Sequence, residues 1–94
     1  MTNNSTTPRI SQADHDALRE LADAGNEKAL DRLADLAHAR SDVDELNELI
    51  DEGSELAGEH LTTRAVAARD LSELQRLADE GIDTAEQALD DLLR

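Results

Sequence analysis

Apolar residues recur along this chain at i, i+3 and i+4, in three series of the same shape. Leu18, Leu21 and Ala22 form the first; Leu46, Leu49, Ile50 and Leu74, Leu77, Ala78 repeat it at intervals of 28 residues. Such spacing lays one apolar stripe along a helix. Each stripe runs into a glycine, Gly25, Gly53 or Gly81, which fits the left-handed residue that follows a helix C-terminus. A second helical pattern then begins. It is expected to bury Ala29, Leu33, Leu36 and Ala37 in the first copy and Ala57, Leu61, Ala65 and Ala68 in the second. The third copy supplies Ala85, Leu89, Leu92 and Leu93. The pattern predicts six helices, over about 12–24, 27–39, 43–52, 55–68, 71–80 and 84–93. Below, A and B denote the first and second helix of each repeat.

Seven positions are identical in all three copies, among them the aspartate series Asp14, Asp42, Asp70 and the alanine series Ala29, Ala57, Ala85. A fixed period of roughly 20–50 residues marks a stack of repeats. The fold is therefore expected to be all-α, an α-solenoid of three 28-residue helix-turn-helix repeats at about 15–42, 43–70 and 71–94. Residues 11–94 form that one domain, and the polar segment 1–10, which lacks periodicity, is expected to be a disordered tail. Helices of about 10–13 residues are marginal alone in water, so stacking must hold them.

Local signals agree with this division. Asp42 and Asp70 are each followed three residues on by Glu45 or Glu73, a capping-box pattern, and Asp14 or Ser11 starts the first helix. Asn26 and Ser54 are placed to cap the first two B helices. In the third copy Ile82 intervenes and Asp83, with Glu86, is expected to take over. The alanine series suits close approach of two helices. Gly58, inside the second B helix, costs about 1 kcal/mol against alanine and implies a close contact or a bend. That helix also departs from the pattern at Thr62, Thr63 and Arg64, and is expected to be the least regular.

The repeat resembles those of the tetratricopeptide and Sel1-like superfamily, in particular a short 28-residue variant found in tandem in proteins of high-GC bacteria. Asn26, Ala29, Leu33, Ala34, Leu36, Ala37, Asp42 and Glu45 carry the likeness. The aromatic positions and closing proline of the standard 34-residue unit are missing. The resemblance implies a right-handed solenoid that binds peptides or proteins on a concave face, and implies no particular substrate or partner.

Charge narrows the choice of partner. Twenty-three acids against nine bases give a formal net charge of −14, and Lys28 is the only lysine. Nucleic acid and anionic membranes would be repelled, because both need cations at their phosphates. Single-strand binding also wants aromatic platforms, and the chain has no Phe, Tyr or Trp. A basic peptide or protein is what this field attracts, while solubility alone is the simpler use of the same acidity. No apolar run approaches the roughly 20 residues that span a bilayer, and Met1 to Pro8 lacks a signal-peptide pattern, so a cytoplasmic location is expected.

Candidate chemistry is sparse. With no cysteine, thiolate ligands and disulfides are excluded. His15, His38 and His60 occupy different repeat positions and match no ligand motif, so they read as solvated surface residues without a metal. Carboxylates on exposed helix faces are poor general acids, since nothing desolvates them. No nucleophile motif or phosphate-binding glycine loop is present. The chain is expected to be no enzyme and to hold no cofactor.

One feature stands out on the A helices. Asp23, Asp51 and Asp79 sit in last turns, where acid opposes the helix dipole. Either they favour the N-terminus of the following B helix across the turn, or they face a partner. In the second reading they join Asn47, Glu48 and Gln75 on the side opposite the leucines, acids selecting Lys or Arg and amides holding backbone. The expected function is a non-enzymatic interaction module for a basic segment. The alternatives are an acidic neutralising protein of antitoxin, immunity or nucleic-acid-mimic type, and a structural homo-oligomer. For the last, Leu89, Leu92 and Leu93 on the final helix are the expected dimer contact. Two stability expectations follow. Leu77→Ala, nearer the terminus, should cost less than Leu49→Ala in the middle repeat. Because self-repulsion opposes compaction at −14, the melting temperature should rise from low to moderate ionic strength. A calorimetric series in salt checks this, and a fall would mean that attraction between opposite charges holds the fold.

Overall fold

The computed structural model describes residues 12–94, and the expected tail at 1–10 and Ser11 lie outside them. Six helices follow in order: α1 (Gln12–Asp23), α2 (Glu27–Ala39), α3 (Val43–Asp51), α4 (Glu55–Ala68), α5 (Leu71–Asp79) and α6 (Asp83–Leu93). No strand occurs among the described residues. α1, α3 and α5 are the A helices; α2, α4 and α6 are the B helices.

Caps and turns explain why the helices begin and end where they do. The N–H of Ala29 donates to Asn26 Oδ1 (3.1 Å) and that of Ala57 to Ser54 Oγ (3.0 Å). Those of Glu45 and Glu73 donate to Asp42 and Asp70. The reciprocal half of the expected capping box is not formed. The Asp42 N–H donates instead to Ala37 O at 2.8 Å and the Asp70 N–H to Ala65 O at 2.9 Å, so neither needs a glutamate. Asp14 lies within the first turn of α1 and not before it.

Each A helix ends in the same doubly bonded turn. Asn26 N–H reaches Leu21 O while Gly25 N–H reaches Ala22 O, and the pattern recurs at Gly53 and Gly81. The three glycines have φ of 99°, 101° and 92°, the region that only glycine enters cheaply. The B-to-A turns use the same bonding without glycine. Ser41 and Arg69 take φ of 58° and 51° there, a conformation that costs an L-residue about 1–2 kcal/mol.

Packing is sequential. α1 rests on α2; α2 touches α3 and α4; α4 touches α3, α5 and α6; and α5 rests on α6. The B helices thus form a continuous row, and the A helices make no close backbone approach to one another. Leu33, Leu46, Leu49, Leu74 and Leu77 are the large, fully buried side chains, with Ala29, Ala34, Ala37, Ala57, Ala65 and Ala85 filling the space between helices. Ala68, the last residue of α4, is exposed, against expectation.

The second B helix is the other correction. α4 runs unbroken for 14 residues and is the longest of the six. Its departures from the repeat pattern arise because it lies centrally, with buried positions Ala57, Gly58, Leu61, Thr62 and Ala65 serving several neighbours. Thr62, buried in the row, turns its hydroxyl back to Gly58 O at 2.8 Å and so leaves no donor unpaired.

Gly58 marks a close contact, and the contact explains a missing cap. A Cβ built on Gly58 would lie 2.6 Å from Ile82 Cδ1. Ile82 is the residue that precedes α6, where it makes no side-chain capping bond; Asp83, expected to cap, is the first helical residue instead. Packing has displaced capping at this position. One repeat earlier the sizes are reversed, since Leu30 stands where Gly58 does and the buried Ser54 where Ile82 does.

Two predictions follow. Leu77 is as fully buried as Leu49, because α5 has α4 on one side and α6 on the other, so the expected difference between them disappears. The contrast lies instead with their counterpart Leu21, which is 48% exposed. Leu49→Ala and Leu77→Ala should each cost about 2–5 kcal/mol in urea titration, and Leu21→Ala clearly less. The second concerns the large-small pair. Gly58→Leu alone should destabilise by about 1–3 kcal/mol through overpacking. Adding Ile82→Ser, which copies the Leu30–Ser54 arrangement, should recover at least about 1 kcal/mol beyond the sum of the single effects. Additive single effects would sink the paired-size explanation.

Candidate functional site

Period and turn geometry bring like charges together at one edge of the molecule. The doubly bonded turn launches each B helix immediately after its glycine, so residues of the first two turns stand next to those 28 positions on. Glu27 and Asp31 of α2 thereby face the same groove as Glu55 and Glu59 of α4. Its volume is about 660 Å³. Ala22, Leu30 and Leu56 supply its apolar lining, each half-buried and packed against the core. Asn26 lies alongside them, and Glu52 completes the acidic rim.

The rim carboxylates differ in their partners. Glu52 accepts from Arg19 at 2.6 Å. Glu27, Asp31, Glu55 and Glu59 make no side-chain hydrogen bond or ion pair among the described residues. Glu27 and Glu55 occupy first turns, where the helix dipole favours a carboxylate. Asp31 and Glu59 lie one turn further on and gain little from that effect. Both face the groove, where they are open to a cationic side chain.

The face opposite the leucine stripe is arranged differently. Asp23, Asp51 and Asp79 are the last residues of their helices and are exposed. None bonds to the N-terminus of the following B helix; Asp79 accepts from Gln75 Nε2 at 2.9 Å. Asn47 is engaged at both ends, donating to Val43 O and accepting from Arg76 at 2.8 Å. Glu48 is exposed. These six residues therefore include two amides that already have a partner within the chain.

Polar side chains on the A helices instead bridge successive repeats. His15 Nε2 and Glu45 Oε2 lie 2.9 Å apart, and Arg40 donates to Glu45 Oε1 at 2.6 Å. With Arg19–Glu52 and Arg76–Asn47, His15–Glu45 joins A helices whose backbones stand apart, whereas Arg40–Glu45 spans the turn from α2 to α3. The Arg19 guanidinium is held above its ordinary value chiefly by its hydrogen bond to Glu52, against the opposing effect of burial. Arg76 is raised in the same way by Glu73. A raised arginine adds stability at every pH below its ordinary value and loses it only in strong base. The sequence signal for these bridges was opposite charge at separations a little over one period, 30 residues for His15–Glu45 and 33 for Arg19–Glu52.

The histidines are not solvated surface residues. His38 and His60 stack with centroids 4.1 Å apart and planes 8° from parallel, and His60 Nε2 lies 3.0 Å from Asp35. Together they clasp α2 to α4, half-buried. No group of three or more His, Cys, Asp or Glu among the described residues is placed to hold a metal ion. No helix among them is long and apolar enough to cross a membrane. On the final helix, Leu89 and Leu92 pack against the core while Leu93 is 66% exposed. No family model matches the sequence, and comparison with curated proteins and with solved structures gave no match.

Proposed function

We propose that this chain is a non-enzymatic interaction module, a short right-handed α-solenoid that binds a basic peptide or protein segment. Its likeness to tetratricopeptide and Sel1-like repeats supports the architecture, together with the sequential packing of α1 to α6. The observation that carries the reading is the groove between α2 and α4. Four carboxylates without partners surround an apolar lining there.

A segment with Lys or Arg flanking an aliphatic side chain satisfies both parts at once. Its cations pair with Glu27, Asp31, Glu55 and Glu59, and its aliphatic group covers Leu30 and Leu56. The groove is better suited to this role than the A-helix face, where Asn47 and Gln75 already have partners within the chain.

Selection of a random displayed-peptide library on the folded protein tests the proposal. Enriched peptides should carry Lys or Arg beside Leu, Ile or Val. Their affinity should fall as salt rises past about 0.1 M, where the screening length is about 10 Å. The variant Glu27→Gln, Asp31→Asn, Glu55→Gln, Glu59→Gln should bind at least about tenfold more weakly while melting no lower than the parent. Peptides without basic residues, or equal binding by the variant, would overturn the assignment. Strong salt dependence without any sequence preference would favour the neutralising-protein alternative.

A further inference from the structure

The outer side of α1 carries an apolar stripe that its counterparts lack. Ala17, Leu21 and Ala24 stand at i, i+4 and i+7, on one side of the helix, and all three are exposed. The equivalent residues are Glu45, Leu49, Glu52 in the second repeat and Glu73, Leu77, Glu80 in the third. There the leucines are fully buried. The four glutamates are all ion-paired: Glu45 with His15 and Arg40, Glu52 with Arg19, Glu73 and Glu80 with Arg76.

In the first repeat both glutamates have become alanine. Helix propensity does not explain the change, since glutamate is nearly as good a helix former as alanine and Ala24 lies beyond the helix end. A terminal face left to water is normally polar. The far end of this molecule shows that alternative. On α6, Glu86 and Asp90 occupy the positions of Leu30 and Ala34 and are exposed, with Asp90 paired to Arg94 at 3.0 Å. That end carries two carboxylates beside the exposed Leu93, whereas the α1 end has alanine at both glutamate positions.

We propose that the Ala17–Leu21–Ala24 face of α1 docks a helix of a partner protein whose contact face is built from alanine-sized residues. The internal interfaces identify that occupant. α3 and α5, the other A helices, seat against α2 and α4, whose buried positions include Ala34 and Ala37, and Thr62 and Ala65. A helix of that kind on α1 would bury Leu21 as Leu49 and Leu77 are buried. A second copy of this chain offers no such face at its free end, where Asp90 and Leu93 replace the small residues. Glu20, exposed at the i+3 position of the same face, is the one carboxylate among residues 17, 20, 21 and 24, so the occupant meets less charge here than in the acidic groove.

A synthetic peptide of residues 26–41 serves as the probe, because it is the chain's own small-faced helix and its three acids balance three bases. Added to isotope-labelled protein, it should shift amide signals confined to 14–25. The variant Ala17→Glu with Ala24→Glu restores residues that the other repeats carry, so it should fold and melt like the parent, and it should bind at least about tenfold more weakly. A second variant, Leu21→Lys, should weaken binding likewise. Shifts absent at millimolar peptide, shifts spread over α3 and α4 through displacement of α2, or unchanged binding by both variants would each overturn the proposal. So would self-association of the parent that the double variant abolishes, since the occupant would then be a second copy.

Discussion

Close approach between helices, made through side chains of alanine size or smaller, is the constraint on which this structure rests. A chain without Phe, Tyr or Trp cannot fill wide gaps between helices. Its interior must instead be thin, with Leu33, Leu46, Leu49, Leu74 and Leu77 set among alanines that let the axes come together. The continuous row of α2, α4 and α6 follows from this requirement, as does the burial of Ala29, Ala57 and Ala85, each at 4% exposure or less. Where the alanine rule is broken, a compensating size change appears opposite, as at Gly58 and Ile82.

The A helices are held by a different device. Their backbones stand apart, and polar bridges such as Arg19–Glu52 and Arg76–Asn47 link each repeat to the next. Segregation of charge follows. Glu45 and Glu52 of the second repeat meet His15 and Arg19 of α1, and Glu73 and Glu80 meet Arg76 of their own helix, while Glu27, Asp31, Glu55 and Glu59 of the B helices face the groove without such partners. The same net acidity is therefore neutralised on one side of the molecule and concentrated on another.

Most of the secondary structure was legible in the sequence, because both the 28-residue period and the turn chemistry are local. The six helices and the caps at Asn26, Asp42, Ser54 and Asp70 depend only on residues within a few positions of one another. What escaped depends on contacts between repeats. Ile82 reads as a gap in a capping series until Gly58 is seen beneath it. The histidines read as surface residues until His38 and His60 meet across α2 and α4. The groove escaped for the same reason: Glu27 and Glu55 are each ordinary in a first turn, and only the packing of one B helix beside the next makes them a cluster. Asp23, Asn47, Glu48, Asp51, Gln75 and Asp79 were legible as a shared helix face, whereas the internal bonds of Asn47 and Gln75 were not.

The exchange of sizes between Leu30–Ser54 and Gly58–Ile82 also fixes the order of the repeats. Each unit carries a junction that fits only the neighbour it has. Removing the middle unit would set Leu30 against Ile82, two large side chains in a space made for one. Doubling it would set Gly58 against Ser54 and leave a hole. Although every unit has the same length and the same seven invariant residues, the three are not interchangeable parts. The middle unit cannot be removed or doubled without remaking a joint, so the order of the three units is encoded in the side chains between them.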